Sequence, residues 1–253
     1  MLSSEIRAEA RRKLAGRWGK AALLVLAYMA IMFVIGFVQG ILPKQIEWLI
    51  SIVVAVIEIP LAYGLIVSFL KFFNEEEVKY FDFLSTGFNN FVRAWKVLLW
   101  TLVKMLVPVI LLVVAIVLMG VGIAGSTASI LFSSNSSAGG FGVLTVVSVI
   151  LYIVAIIWLI VKSYSYQLSY LIAIENPSIL AKEAVERSAE LMQGRKAKLF
   201  WLQLSFIGWA ILAGLTFGIG MLWLLPYIQF ATIVFYKDAL GNKKVETEPE
   251  VIQ

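Results

Sequence analysis

Cysteine and histidine are both absent from the 253 residues. Without cysteine the chain has no disulfide, no thiolate nucleophile and no thiolate metal site. Without histidine it lacks the commonest general base and the commonest metal ligand. The expectation is therefore a non-enzymatic protein with no metal and no cofactor. Charge is also scarce, at 15% of residues, where an average soluble protein has about 25%. Hydrophobic residues reach 61%. A single soluble core stops growing at about 250–300 residues, so water is the wrong solvent for this much apolar surface. The apolar residues sit in long blocks rather than in short alternating runs, a pattern of spanning helices and not of a barrel.

The blocks predict an all-α polytopic membrane helical bundle with six spanning helices. Ala21 to Leu42 is 22 residues without a charge, longer than the roughly 7–15 residues of a signal-peptide core, and is read as a retained helix. After the turn Pro43-Lys44-Gln45, a second helix covers about Trp48 to Leu70, interrupted by Glu58 and Pro60. Lys104 and Lys162 bracket 57 uncharged residues, too many for one crossing of about 20. The small and polar stretch from Gly125 to Gly142 splits them into two helices. Lys198 and Lys237 bracket 38 more, folded into a hairpin at Thr216-Phe217-Gly218-Ile219-Gly220. We expect one membrane domain over 1–240 and a disordered cytoplasmic tail over 241–253.

Basic residues orient the bundle. Segments 1–20, 71–104, 162–198 and 237–253 hold 6, 5, 6 and 3 Lys or Arg, and the other loops hold only Lys44. The positive-inside rule then places both termini in the cytoplasm. The same rule accounts for the net charge of +5, so no nucleic-acid partner is expected.

Three cytoplasmic segments carry apolar stripes at helical spacing: Ile6, Ala10, Leu14 and Trp18; Phe81, Leu84, Phe88 and Phe91; Leu180, Ala184, Ser188 and Leu191. Asn176-Pro177 reads as the start of the third and Gly194 as its stop. Each stripe leads into basic residues, and each predicts an interfacial amphipathic helix feeding a helical hairpin. The chain is thus expected to be a triplicated unit, with repeats near 3–70, 80–174 and 178–240. Pro60 to Lys71 matches Pro226 to Lys237 in register, and Glu175 falls opposite Asp238.

The segment from Glu186 to Tyr236 resembles the bacterial integral membrane family called domain of unknown function 975. The resemblance is carried by Ser188, Leu191-Met192, Gly194, Leu204 to Trp209, Gly218-Ile219-Gly220 and Pro226-Tyr227. The N-terminal Arg7, Ala10-Arg11, Leu14 and Gly16-Arg17-Trp18-Gly19 is similar to the family's start. A remoter likeness links it to membrane domains of glycerophosphodiester phosphodiesterases. The resemblance implies a multi-pass protein of the bacterial cytoplasmic membrane and assigns no activity.

Candidate site residues follow from polar groups in apolar surroundings. Glu58, two residues before Pro60 in the second helix, is a candidate ligand group, because a carboxylate inside a membrane is costly and marks function by default. A structural glutamate packed between helices is the equal alternative. Lys104 is its natural partner, or else snorkels to the interface. Gln167, Gln229 and Tyr227 could line an amphiphile-binding cavity, or make interhelical hydrogen bonds. Arg17, Lys20, Arg93, Lys96, Arg195, Lys196 and Lys198 are candidate contacts for anionic lipid headgroups. The leading expectation is non-enzymatic binding or transport of a lipid or other amphiphile, with the bilayer as first partner. The alternative is a membrane scaffold or accessory subunit that docks a protein partner through its cytoplasmic helices. Gly36/Gly40 and Gly214/Gly218 are spaced for close helix approach.

Overall fold

The computed structural model describes residues 1–131 and 135–247, and the side chains of all of these except 130, 135–139 and 242–247. The described residues are helical, without strands. Eleven α-helices follow one another: α1 (Ser3–Leu14), α2 (Trp18–Ile41), α3 (Glu47–Phe73), α4 (Asp82–Asn89), α5 (Phe91–Leu131), α6 (Asn135–Tyr166), α7 (Ser169–Glu175), α8 (Ala181–Leu191), α9 (Lys196–Leu204), α10 (Ile207–Leu215) and α11 (Met221–Thr247). Five segments are long and apolar enough to cross a membrane: 18–41, 44–73, 91–129, 140–175 and 196–215. Of the six spans expected, α11 is the one outside this set. Its apolar run is diluted by Pro226, Tyr227 and Gln229 and ends on Lys237 and Asp238.

The short helices stand where the apolar stripes predict them, as α1, α4 and α8. The boundaries differ: Trp18 opens α2, Phe81 precedes α4, Phe91 opens α5, and α8 starts at Ala181, behind Leu180 as its cap, and not at Pro177. The Asn176 backbone N–H and side-chain amide both donate to the Ile172 carbonyl, closing α7 instead. Gly194 has φ +70°, the left-handed conformation suited to a helix stop. The split expected between Gly125 and Gly142 falls partly outside the described residues, and α11 continues as helix to Thr247, into the expected tail.

The chain divides into two compact units, one formed by 1–98 with 167–253 and the other by 99–166. In the first unit two amphipathic helices pack on longer ones, α1 on α11 and α4 on α3, while α8 packs on the shorter α7. Two of these pairs run antiparallel. The Met1 amino group meets Asp238 at 3.2 Å, while Arg11 reaches Tyr227 farther back along α11. Gly64 lies against Phe83, and Gly87 against Pro60; a Cβ at either glycine would sit 2.0 Å or 2.3 Å from the facing carbonyl oxygen. Only glycine permits this approach of α3 and α4. Phe230 is fully buried, with its ring 5.4–6.4 Å from those of Phe69, Phe72 and Phe73 in edge-on geometry, so α3 and α11 share one aromatic core.

The second unit is a hairpin of the apolar parts of α5 and α6. Between the two helices it buries small residues, Ala115, Ser129, Ser148 and Ala155 among them, and Tyr166 is buried at its edge. Gly122 faces Thr145 and Gly125 faces Phe141. Valine, isoleucine and leucine point outward along both helices. Small residues inside and branched apolar ones outside are the arrangement hydrocarbon selects, because it offers no reward for hiding leucine.

Candidate functional site

The first unit's polar groups collect where α3 and α7 end and around Asp238 on α11. A helix terminates with four carbonyls that have no partner within it, and arginines supply donors at these two ends. Arg93 donates through Nη2 to the carbonyls of Ala173 (2.9 Å), Asn176 (2.8 Å) and Ile179 (3.2 Å), through Nη1 to Pro177 (2.8 Å) and through Nε to Ala173 (3.2 Å). Its whole fork is turned onto the end of α7. Arg17 donates to the Phe72 carbonyl at 3.2 Å and to Lys13 at 2.8 Å, with its guanidinium 4.9 Å from the Phe72 ring centre. On α11 Lys198 donates to Asp238 at 2.9 Å. Burial pushes the Asp238 carboxyl up, but hydrogen bonds from Lys198 and the Met1 amino group outweigh it and hold the group below its ordinary value. Glu175 at the end of α7 accepts from the Tyr236 hydroxyl at 3.0 Å and is paired with Lys237.

Between these ends lies a cup of about 830 Å³. Its floor is apolar, from Val67, Leu70, Ile172 and Leu191, and its rim carries Lys71, Glu76, Glu175, Arg187 and Glu190. A second cavity, a groove of about 380 Å³, runs between α10 and α11 past Trp18, Trp209 and Trp223, and Arg11 and Tyr227 are among its lining residues. Arg11 Nη1 donates to the Tyr227 hydroxyl at 2.7 Å, and the Tyr227 ring is 6.0 Å from Trp18 and 4.9 Å from Phe206.

The sequence-derived candidates scatter over this frame. Tyr227 lines the groove. Gln229 is half-buried on α11 and Gln167 is exposed at the break between α6 and α7. Neither lines the cup or the groove. Glu58 is half-buried on α3, near enough to Tyr28 on α2 to act on it electrostatically. Lys104 lies in the other compact unit. Of the basic candidates, Arg17 and Arg93 point at carbonyls, Lys198 at Asp238, and Arg195 donates to the Leu191 carbonyl at 3.2 Å. Lys96 borders a smaller surface pocket beside Asn90 and Ala181; Lys20 is exposed, and Lys196 is half-exposed on the first turn of α9. The cup residues Lys71, Glu76, Glu175 and Arg187 were not singled out as site residues from the sequence. For Lys71 and Glu175 the signal is the charge at the end of an even-numbered spanning helix, visible where Glu175 falls opposite Asp238; Glu76 and Arg187 carry no such signal.

Among the described residues no group of three or more His, Asp or Glu could hold a metal ion. No curated protein and no solved structure matches the chain. A family model does match, over residues 1–243, and the chain belongs to that family, the one described as "Protein of unknown function (DUF975)".

Proposed function

We propose that this is a multi-pass membrane protein that binds an anionic amphiphile at the cytoplasmic leaflet, with the chain in the groove beside Trp209 and Trp223 and the headgroup on Arg11. The carrying observation is the groove itself. It is almost wholly apolar, its tryptophans are partly exposed, and its lining includes one cation, Arg11, held in place by Tyr227. Aromatic rings with an apolar body are suited to that depth of a bilayer. Five membrane-length helices support the membrane setting. In this reading α11 is the sixth span, both termini are cytoplasmic, and the protein is not an enzyme.

The architecture belongs to the same reading. Arg17-x-x-Lys20, Arg93-x-x-Lys96 and Arg195-x-x-Lys198 recur at the start of three hairpins. From each motif at least one cation reaches the last helix of its own repeat: Arg17 the end of α3, Arg93 the end of α7 and Lys198 the Asp238 carboxylate on α11. The amphipathic helix of each repeat packs on the last helix of the repeat before it, and α1 on α11 closes the circle. A triplicated unit arranged cyclically accounts for both regularities with one rule.

The test is retention of lipid by the purified protein, read by native mass spectrometry from nanodiscs of mixed phosphatidylglycerol and phosphatidylcholine. Phosphatidylglycerol should be retained preferentially. Arg11→Gln should reduce that preference about fivefold, the equivalent of roughly 1 kcal/mol for one basic group near anionic lipid. Equal retention of both lipids by the wild-type protein would overturn the reading, and a stoichiometric co-purifying protein in place of lipid would favour a scaffold.

A further inference from the structure

We propose that the cup between α3, α7, α8 and α11 is a second binding site, for a small zwitterion that carries an ammonium and an acid group, held by Glu76 and Lys71. The argument starts from which charges are already spent. Glu175 is paired with Lys237 and hydrogen-bonded by Tyr236. Arg187 is paired with Glu183 at 2.7 Å. Lys71 and Glu76 also line the cup, and among the described residues neither has an ion-pair partner.

The turn that ends α3 brings the two residues together in the chain. Glu75 adopts φ +66°, the left-handed conformation that non-glycine residues rarely take. This reverses the chain after α3, and the Glu76 N–H returns to donate to the Lys71 carbonyl at 3.0 Å. Lys71 and Glu76 thereby stand at one helix end, and both line a cavity of the size that small ligands occupy, about 300–1,000 Å³.

The two charges select the ligand further. A lone anion on Lys71 would leave Glu76 unmatched and would face Glu175 and Glu190 on the same rim. A lone cation on Glu76 would leave Lys71 unmatched. A molecule bearing both charges meets each with its opposite, and the apolar floor accepts a short carbon linker.

Isothermal titration calorimetry on the detergent-solubilised full chain tests this. The probes are phosphoethanolamine and β-alanine as zwitterions, with ethanolamine and inorganic phosphate as single-charge controls. At least one zwitterion should bind ten times or more tightly than both controls. Lys71→Gln and Glu76→Gln should each remove that advantage without lowering the melting temperature. The exchanged pair Lys71→Glu with Glu76→Lys should restore binding to within about threefold, because a zwitterion can turn around. Nanodiscs containing phosphatidylethanolamine separate the sources: competition with phosphoethanolamine supports a lipid headgroup, and zwitterion binding without competition supports a soluble ligand. Controls that bind as tightly as the zwitterions, or single variants that bind as the wild type does, would overturn the proposal. The Arg11→Gln variant leaves the cup intact, so loss of amphiphile binding at the groove and loss of zwitterion binding here can be told apart.

Discussion

The two compact units use different means to hold helices together. Unit 99–166 contains no aspartate or glutamate and buries small side chains between its two helices. The unit formed by 1–98 and 167–253 buries Phe69, Phe83, Phe230, Phe235 and Tyr236 almost completely and ties its helix ends with arginine, lysine and carboxylate. The difference follows from the solvent. Where hydrocarbon surrounds a helix, apolar burial gives no gain, and close contact through small residues is what remains. Where helix ends meet water and headgroups, aromatic burial regains its value and open carbonyls need donors.

The contrast can be broken most strongly at Phe230. Truncation to alanine removes the ring that Phe69, Phe72 and Phe73 all touch, and should cost about 3–5 kcal/mol; thermal unfolding in detergent would show it as a large fall in melting temperature. Gly64→Ala comes next. Its Cβ would meet the Phe83 backbone at 2.0 Å, and backbone cannot rotate away, so about 3 kcal/mol is expected at the top of the overpacking range. Gly36→Ala in the same assay should be neutral, because nothing lies within 4 Å of a Cβ there. Arg93→Gln should cost about 2 kcal/mol by stripping charged donors from the α7 carbonyls, and hydrogen exchange should rise at Ala173 to Ile179. In the other unit, Gly122→Ala meets the Thr145 hydroxyl at 2.5 Å and its backbone nitrogen at 3.0 Å. The hydroxyl can turn aside, so about 1 kcal/mol is expected.

The glycines also mark what the sequence could and could not reveal. Gly36/Gly40 and Gly214/Gly218 carry the familiar spacing, yet at none of the four does a Cβ meet a neighbour, and Gly218 serves a turn at φ +85°. Gly64 and Gly87 carry no such spacing and make the closest approach between α3 and α4. Spacing along one helix is local information, whereas contact depends on which helix arrives opposite. Hydropathy read the long helices well because solvent acts on each segment separately, and the apolar stripes located α1, α4 and α8 for the same reason. The cup was illegible. It needs the ends of α3 and α7 and the Tyr236 to Leu240 stretch of α11, some 60 to 170 residues apart, and Glu58, conspicuous by its neighbours in sequence, does not line it.

Acid sharpens the comparison with the least force. Asp238 is held below its ordinary value of 3.8 by hydrogen bonds from Lys198 and the Met1 amino group, against the opposing effect of burial. A group whose folded-state pKa is depressed contributes stability above its unfolded value and loses it as pH falls through the folded one. Its contribution, about 0.5–1 kcal/mol for a pair of this exposure, is therefore complete at pH 6 and fades below about pH 4. Asp238→Asn should melt lower than the wild type at pH 6 and converge with it near pH 3. Only the first unit carries carboxylates, so at pH 3 hydrogen-exchange protection, relative to the intrinsic rate, should fall along α1 and around Asp238 on α11 while the helices of 99–166 keep theirs. A gap between wild type and variant that persists unchanged to pH 3 would mean that Asp238 acts through its shape and not its charge, and the ionic tie on α11 would lose its basis.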